Sequence, residues 1–211
     1  MQKELKANSS VFMYGSLMVT LAIILQSVGC SSGGEKEWEF GAGNWVTSSP
    51  AVSGGYVYVG SVDKKLYCLN ASNGKKEWEF DTAYWVTSSP AVSGGYVYVG
   101  SHDGKVYCLN ASNGEKVWEF FTGMAAGSSP AVSGGYVYVG SYGKFYCLNA
   151  ADGKKVWEFK TESWVTSAPT VSKGYVYLGS WDNKLYCLNA SNGEKVWEFK
   201  TALYPFGVIF R

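Results

Sequence analysis

Cysteine is the residue type in this chain with the widest chemical repertoire. Four of the five cysteines recur at intervals of 40, 39 and 40 residues, at Cys68, Cys108, Cys147 and Cys187. Regularly placed thiols suggest disulfides, a metal site or repeated core positions. If each lies in its own packed sheet, neighbouring copies are about 10 Å apart, whereas a disulfide needs Cα atoms within about 7 Å. The same distance keeps the four thiols from sharing a zinc ion. We therefore interpret them as small buried hydrophobic residues.

The other residues that could support chemistry are one histidine and a set of recurring aspartates. The single histidine, His102, cannot form a His-rich metal site or a His-based triad. Asp63, Asp103 and Asp182 occur once per repeat, so they are not expected to converge on one ion, and Gly143 replaces the aspartate in the third repeat. Turn formation explains these aspartates better than catalysis does. No nucleophile–base pair or phosphate-binding loop is present in the sequence.

The elements that carry these residues are repeats of about 40 residues. A Trp-Glu-Phe triplet recurs five times, and its tryptophans are Trp38, Trp78, Trp118, Trp157 and Trp197. Between the triplets the same sequence recurs, SSPAVSGGYVYVGS followed by KLYCLNASNGKK, or a close variant of it. Self-similarity at such a period is the signature of a repeat architecture.

Each repeat predicts four short strands, A to D. In the first repeat these are Pro50–Ser53, Tyr56–Gly60, Leu66–Asn70 and Glu77–Phe80. Gly54-Gly55 predicts a tight A–B turn, and Asn73-Gly74 predicts a type I′ C–D turn, which needs positive φ at both central residues. Strands B and C carry apolar side chains on both faces. This pattern favours a small sheet packed between two neighbours, as in a propeller blade.

The segment Leu69–Trp78, LNASNGKKEW, resembles the tryptophan-docking pattern of the pyrroloquinoline-quinone-like (PQQ-like) β-propeller family, roughly A-x-D-x-x-T-G-x-x-x-W. The resemblance recurs at the later triplets and covers residues 37–200. It differs in a cysteine at the family's first alanine and an asparagine at its aspartate. The resemblance implies a propeller in which the five triplet tryptophans dock between adjacent blades. The family includes quinoprotein dehydrogenases and cofactor-free scaffolds, among them a lipoprotein of the bacterial outer-membrane assembly machinery.

The same resemblance gives a test for enzymatic activity. Dehydrogenases of this family carry a vicinal Cys-Cys pair against the quinone and place Glu, Asn and Asp on an activating calcium ion. No Cys-Cys pair occurs in this chain. We therefore expect no catalytic residue, no metal site and no cofactor. The alternative is a PQQ-dependent quinoprotein dehydrogenase domain, or a fragment of one.

The N-terminus predicts an export or anchoring segment. Lys3 and Lys6 precede an uncharged, mostly apolar run over residues 11–29. This order is typical of an export signal, and Ser27-Val28-Gly29-Cys30 resembles a lipobox, in which Cys30 would be lipidated, although Ser27 replaces the usual aliphatic residue. The alternative is an uncleaved transmembrane anchor, because the run is nearly long enough to span a bilayer. Both interpretations predict a membrane-anchored, extracytoplasmic protein of the cell envelope.

The repeats differ from one another mainly at one end of the predicted propeller. Antiparallel strands put the D–A segments and B–C turns at this end, the variable end, and the A–B and C–D turns at the other, the uniform end. Loops that vary on a fixed frame often bind partners, and Trp and Tyr are common anchors. The candidate partner-binding residues are Trp45, Tyr84, Trp85, His102, Tyr142, Trp164 and Trp181. The alternative is that Trp45, Trp85 and Trp164 cap the core between blades.

Two classes of function are compatible with the sequence. A formal net charge of +1 gives no electrostatic case for binding nucleic acid. We favour a non-catalytic binding or scaffold module whose partner at the cell surface is a protein or a glycan. The other class is the quinone-dependent enzyme.

We predict an all-β chain after residue 36: a β-propeller of about four four-stranded antiparallel blades, with sixteen or more strands. The expected divisions are a signal or anchor (1–30), a tether (31–36), the blades (37–200) and the start of a fifth blade (201–211). A leftover N-terminal D strand, Glu37–Phe40, predicts an open or incomplete ring whose apolar end faces favour self-association. The chain is then expected to be a truncated product or to complete its ring with another chain.

Overall fold

A computed structural model describes residues 36–201, so the expected signal or anchor segment, including Cys30, lies outside the described residues. Residues 36–201 form fifteen β-strands in four antiparallel sheets and contain no helix. The prediction of an all-β propeller with four blades is thereby confirmed. Within this part of the chain, no helix is long and apolar enough to cross a membrane.

The strands follow the repeats in chain order. Blade 1 comprises β1 (Ala51–Ser53), β2 (Tyr56–Gly60), β3 (Lys65–Asn70) and β4 (Lys76–Asp81). Blade 2 comprises β5 (Ala91–Ser93), β6 (Tyr96–Gly100), β7 (Lys105–Asn110) and β8 (Lys116–Phe121). Blade 3 comprises β9 (Ala131–Ser133), β10 (Tyr136–Asn149) and β11 (Lys155–Trp164). Blade 4 comprises β12 (Thr170–Ser172), β13 (Tyr175–Ser180), β14 (Lys184–Asn189) and β15 (Lys195–Lys200). Within each blade, neighbours in the chain are neighbours in the sheet.

Blade 3 explains why the described residues hold fifteen strands and not the sixteen predicted. Its B–C turn is one residue shorter than the others and centres on Gly143, whose φ is +68°. The B and C strands therefore run together as β10. Strand β11 is also extended, so that Trp164 pairs with Tyr142.

The two hairpin turns of a blade differ from each other in backbone conformation. Gly54 and Gly55 of the A–B turn both have positive φ, at +59° and +82°. In the C–D turn only Gly74 does, at +68°, so the prediction of a type I′ turn at Asn73-Gly74 is wrong. The backbone N–H of Gly74 instead donates to the carbonyl of Asn70, and the Asn70 side chain accepts from the N–H of Ser72. The C–D turn is therefore a wider loop closed by Asn70.

The core lies between blades, where two sheet faces meet. We call the face towards the next blade the front face and the opposite one the rear face. Between blades 1 and 2 the front face contributes Tyr58, Leu66, Cys68, Trp78 and Phe80, and the rear face contributes Val97, Val99, Tyr107 and Leu109. Equivalent residues form the next two interfaces. The same pair of surfaces is therefore packed together three times.

Each interface contains a docking tryptophan in a socket formed by the next blade. Trp118 donates from Nε1 to the carbonyl of Ala150 at 2.9 Å, and its ring lies against Gly153. A Cβ at Gly153 would lie 2.7 Å from the Trp118 ring. The equivalent pairs are Trp38 with Ala71 and Gly74, Trp78 with Ala111 and Gly114, and Trp157 with Ala190 and Gly193. Only glycine leaves room for the indole at this point of the C–D turn.

The four blades form an unclosed arc with two unlike ends. Inter-blade contacts among the described strands join blade 1 to 2, 2 to 3 and 3 to 4. On the rear face of blade 1, Trp38, Phe40, Ala42 and Val46 cover the apolar side chains. On the front face of blade 4, 42% of Trp197 and 61% of Phe199 are exposed. The predicted open ring is therefore observed. The predicted D strand at Glu37–Phe40 is not formed, because none of the strands in residues 36–201 pairs with it.

The four repeated cysteines lie on the front faces and are all buried and unpaired. Burial raises the pKa of Cys68, Cys108 and Cys147 to about 12. Thiolates are the reactive form of cysteine, so these three side chains are chemically inert near neutral pH. Their geometry is that of small hydrophobic core residues.

Candidate functional site

Backbone hydrogen bonds fix the shape of the variable end. The N–H at the start of each of three B–C turns donates to the last carbonyl of the preceding D–A segment: Val62 to Trp45, His102 to Trp85 and Trp181 to Trp164, at 2.8–2.9 Å. The D–A segments and B–C turns are therefore in direct contact at one end of the arc. This arrangement holds the candidate aromatic residues on a regular frame, one position per blade.

A clamp built on aspartate supports this frame. Asp63 Oδ2 accepts from the backbone N–H of Gly43 and from the Tyr67 hydroxyl, both at 2.7 Å. Burial raises the pKa of Tyr67 to about 12, and the hydrogen bond to Asp63 adds to that rise. Blades 2 and 4 repeat the clamp with Asp103 and Asp182. The aspartates therefore fix the D–A segments, beyond the turn-forming role inferred from sequence.

Blade 3 holds the equivalent tyrosine without an aspartate. The Tyr146 hydroxyl donates to the Thr122 carbonyl at 3.0 Å. Neither arrangement was predicted from the sequence. The pattern that indicates them is an aspartate four residues before a tyrosine, which occurs in three repeats and is absent from the third.

The candidate aromatic side chains form two groups. Above blades 1 and 2, the Tyr84 and Trp85 rings stack at 4.9 Å and Trp85 lies 6.0 Å from the His102 ring. Above blades 3 and 4, Tyr142 packs edge-on against Trp164 at 5.0 Å. The two groups are separated by the D–A segment between blades 2 and 3, whose residues 124–127 read MAAG.

Two hydrogen bonds hold His102 and Trp181, whereas Trp45 is free of packing over most of its surface. His102 Nε2 lies 2.8 Å from Thr87 Oγ1, and burial lowers the pKa of His102, which favours the neutral imidazole. Trp181 donates from Nε1 to Thr166 Oγ1 at 3.0 Å, yet 67% of its surface is exposed. Trp45 is 74% exposed. Both rings therefore present large apolar surfaces to solvent.

The tryptophans of the D–A segments do not close the core between blades. A neighbouring residue does. The residues that follow Trp85 and Trp164 are buried, as Val86 and Val165, and Ala126 takes the equivalent place between blades 2 and 3. Trp45 and Trp85 are exposed and Trp164 is half-buried. The geometry thus assigns core capping to the residue that follows, and leaves these tryptophans at the surface.

The uniform end presents the same small turns in every blade. A groove of about 550 Å³ lies here between blades 3 and 4, beside Tyr136, Lys173 and Tyr175. Its walls are A–B and C–D turn residues that recur in the other blades with little change. This end therefore offers few features that distinguish one blade from another.

The donor set does not fit the calcium and quinone of the family's dehydrogenases. No three His, Cys, Asp or Glu side chains within residues 36–201 are grouped so that they could hold a metal ion. The three clamp aspartates already accept hydrogen bonds from tyrosine and backbone.

Comparison with known proteins gives one family and several similar folds. The family model described as outer membrane protein assembly factor BamB matches residues 26–126 and 102–209. No match was found among curated protein sequences. BamB from Moraxella catarrhalis superposes with a TM-score of 0.70 at 21% identity, over 80% of this chain and 57% of that chain.

Two other solved structures share the fold. A quinohemoprotein alcohol dehydrogenase from Pseudomonas putida gives a TM-score of 0.70 at 20% identity, over 78% of this chain and 36% of that chain. The computationally designed Ika4 protein gives 0.68 at 19% identity, over 74% of this chain and 99% of that chain. This chain therefore spans little more than half of BamB and about a third of the dehydrogenase.

Proposed function

Because the chain belongs to the family described as outer membrane protein assembly factor BamB, we propose that it is a non-catalytic scaffold of the cell envelope that binds a protein partner at its variable end. The supporting observation is the set of exposed aromatic rings on an otherwise repeated frame. Aromatic side chains supply much of the binding energy at protein interfaces, and the family description favours a protein over a glycan as partner.

The binding test compares matched surfaces at the two ends. The triple variant Trp45→Ala, Trp85→Ala, Trp181→Ala removes exposed rings from the variable end. The control, Tyr96→Ala, Tyr136→Ala, Tyr175→Ala, removes three exposed rings from the uniform end. We expect the first variant to bind its partner at least about tenfold more weakly, because interface hot spots contribute 2 kcal/mol or more each. The control should bind like the parent.

The measurement is quantitative capture from detergent-solubilised bacterial outer membranes, with bound proteins identified by mass spectrometry. Proteins retained by the parent and the control but lost from the aromatic variant support the proposal. Equal capture by all three chains would contradict it. Retention of a glycan on an array, with the same dependence on the aromatic residues, would identify a glycan-binding face instead.

We also propose that Cys30 is lipidated and anchors the domain outside the cytoplasm. Cys30→Ser should abolish incorporation of a radiolabelled fatty acid and release the chain from the membrane fraction in a bacterial host. Absence of label on the parent, with fractionation unchanged by the substitution, would favour the transmembrane anchor.

The alternative function is a quinone-dependent dehydrogenase domain, which the similarity to the quinohemoprotein alcohol dehydrogenase fold favours. Reconstitution with pyrroloquinoline quinone and Ca²⁺ separates the two. A scaffold gives neither a bound-quinone absorbance nor alcohol oxidation above that of free quinone. A saturable absorbance change with turnover would favour the enzyme.

A further inference from the structure

One docking tryptophan has no socket among the described residues. Trp118 and Trp157 are each 8% exposed, whereas Trp197 is 42% exposed in an otherwise identical Trp-Glu-Phe triplet. Phe199 and Leu185 on the same front face of blade 4 are exposed as well. Within residues 36–201, nothing covers on blade 4 the surface that the first three blades bury against a rear face.

The matching socket exists on the rear face of blade 1, where a weakly held segment occupies it. Trp38 donates to the carbonyl of Ala71 at 3.0 Å and lies against Gly74. Phe40 packs edge-on against Tyr67 at 5.0 Å. Residues 36–40 belong to no strand, so these side-chain contacts lack the support of a backbone ladder.

We propose that the front face of blade 4 docks on the rear face of blade 1 of a second copy of this chain, with Trp197 taking the Ala71–Gly74 socket from Trp38. The chain itself shows three times that these two surfaces pack together. The incoming face supplies Leu185 and Cys187, the equivalents of Leu66 and Cys68, which residues 36–46 do not provide. This self-association goes beyond the proposed partner binding and does not depend on it.

In the proposed dimer, residues 36–40 are displaced from the rear face of blade 1 and strand β15 stays in its sheet. Strand β15 pairs with β14 through five residue pairs, and Lys184 forms an ion pair with Glu198 at 3.7 Å. Displacing β15 would break this ladder, whereas displacing residues 36–40 breaks none. Trp38 and Trp197 are thus competitors for one site.

The number of blades and faces favours two copies. Each chain has four blades with one open front face and one rear face at the ends of the arc. Two chains joined at both ends would supply eight blades and leave neither face open. Contacts between unlike surfaces form closed rings when the rotation closes, so the expected product is a closed dimer and not an extended filament.

The test measures dimerisation of the full chain in non-ionic detergent by sedimentation equilibrium. Trp197→Ala and, independently, the exposed Phe199→Asp should weaken dimerisation about tenfold or more, as expected for interface aromatic residues. Trp38→Ala should strengthen it, because it empties the socket. Tyr136→Ala, which removes an exposed aromatic ring from the uniform end of blade 3 and lies on neither end face, is the control and should leave the dimerisation constant unchanged.

A photo-cross-linking experiment locates the contact. A copy with p-benzoylphenylalanine at position 197 is mixed with a ¹⁵N-labelled copy, and the cross-linked peptides are analysed by mass spectrometry. We expect a mixed-isotope cross-link to the peptide that contains Ala71–Gly74. A parent that stays monomeric, an unchanged constant in both front-face variants, or weaker dimerisation of Trp38→Ala would each overturn the proposal.

Discussion

Replacing Trp118 by alanine is expected to lower the free energy of unfolding by about 3–5 kcal/mol, the usual loss for a buried aromatic residue. The indole is 8% exposed and donates to the Ala150 carbonyl across the blade interface. Its removal leaves a cavity against Gly153 and takes from the Ala150 carbonyl its shorter hydrogen bond, so that only the 3.4 Å bond from the Tyr98 hydroxyl remains. Urea unfolding followed by circular dichroism measures the change.

The control for this prediction is Trp45→Ala. Trp45 is 74% exposed, and substitutions at such surface positions usually change stability by less than about 0.5 kcal/mol. Equal effects at the two positions would show that Trp118 does not stabilise the interface. Trp157→Ala should resemble Trp118→Ala, because Trp157 is buried to the same extent.

Replacing Gly153 by alanine is expected to destabilise the protein by roughly 2–5 kcal/mol. Two costs combine. The residue has φ +70°, which costs an L-residue about 1–2 kcal/mol, and the new Cβ would lie 2.7 Å from the Trp118 ring, where overpacking costs about 1–3 kcal/mol. Thermal and urea unfolding of the variant would show the loss.

Gly134→Ala separates the two costs. Gly134 also has positive φ, at +59°, but a Cβ there meets nothing within 4 Å, so only the backbone cost is expected. In the double variant Trp118→Ala, Gly153→Ala the overlap disappears, and the two losses should sum to more than the observed one. Additive losses, or equal losses at Gly134 and Gly153, would argue against the socket.

The blade architecture was predictable because the repeats make one local pattern visible four times. The spacing of the Trp-Glu-Phe triplets gave the number of blades, and the apolar faces of strands B and C gave the core between them. The C–D turn was predicted incorrectly, because the Asn-Gly rule ignores the Asn70 side chain, which closes a wider loop. The long β10 was missed because one deleted residue changes a turn without changing the hydrophobic pattern.

The candidate face was only partly predictable. The residues of the face could be identified by comparing the repeats, because the amino-acid sequence varies mainly at one end of the blades. Whether Trp85 or Val86 enters the core depends on how the D–A segment crosses between sheets, and two adjacent apolar residues do not reveal that in a sequence. The roles of Thr87 and Thr166 beside His102 and Trp181 depend on contacts between segments fifteen residues apart.

The sameness of the three blade interfaces has a consequence for how such a gene can change. A front face fits any rear face in the chain, so inserting or removing one 40-residue unit creates no junction that the protein has not already packed. Nearly identical stretches such as SSPAVSGGYVYVGS recur in the first three repeats, and the corresponding DNA would be prone to unequal recombination. Blade number can therefore change in whole units of about 40 residues, and the aromatic residues of each D–A segment move with their own unit.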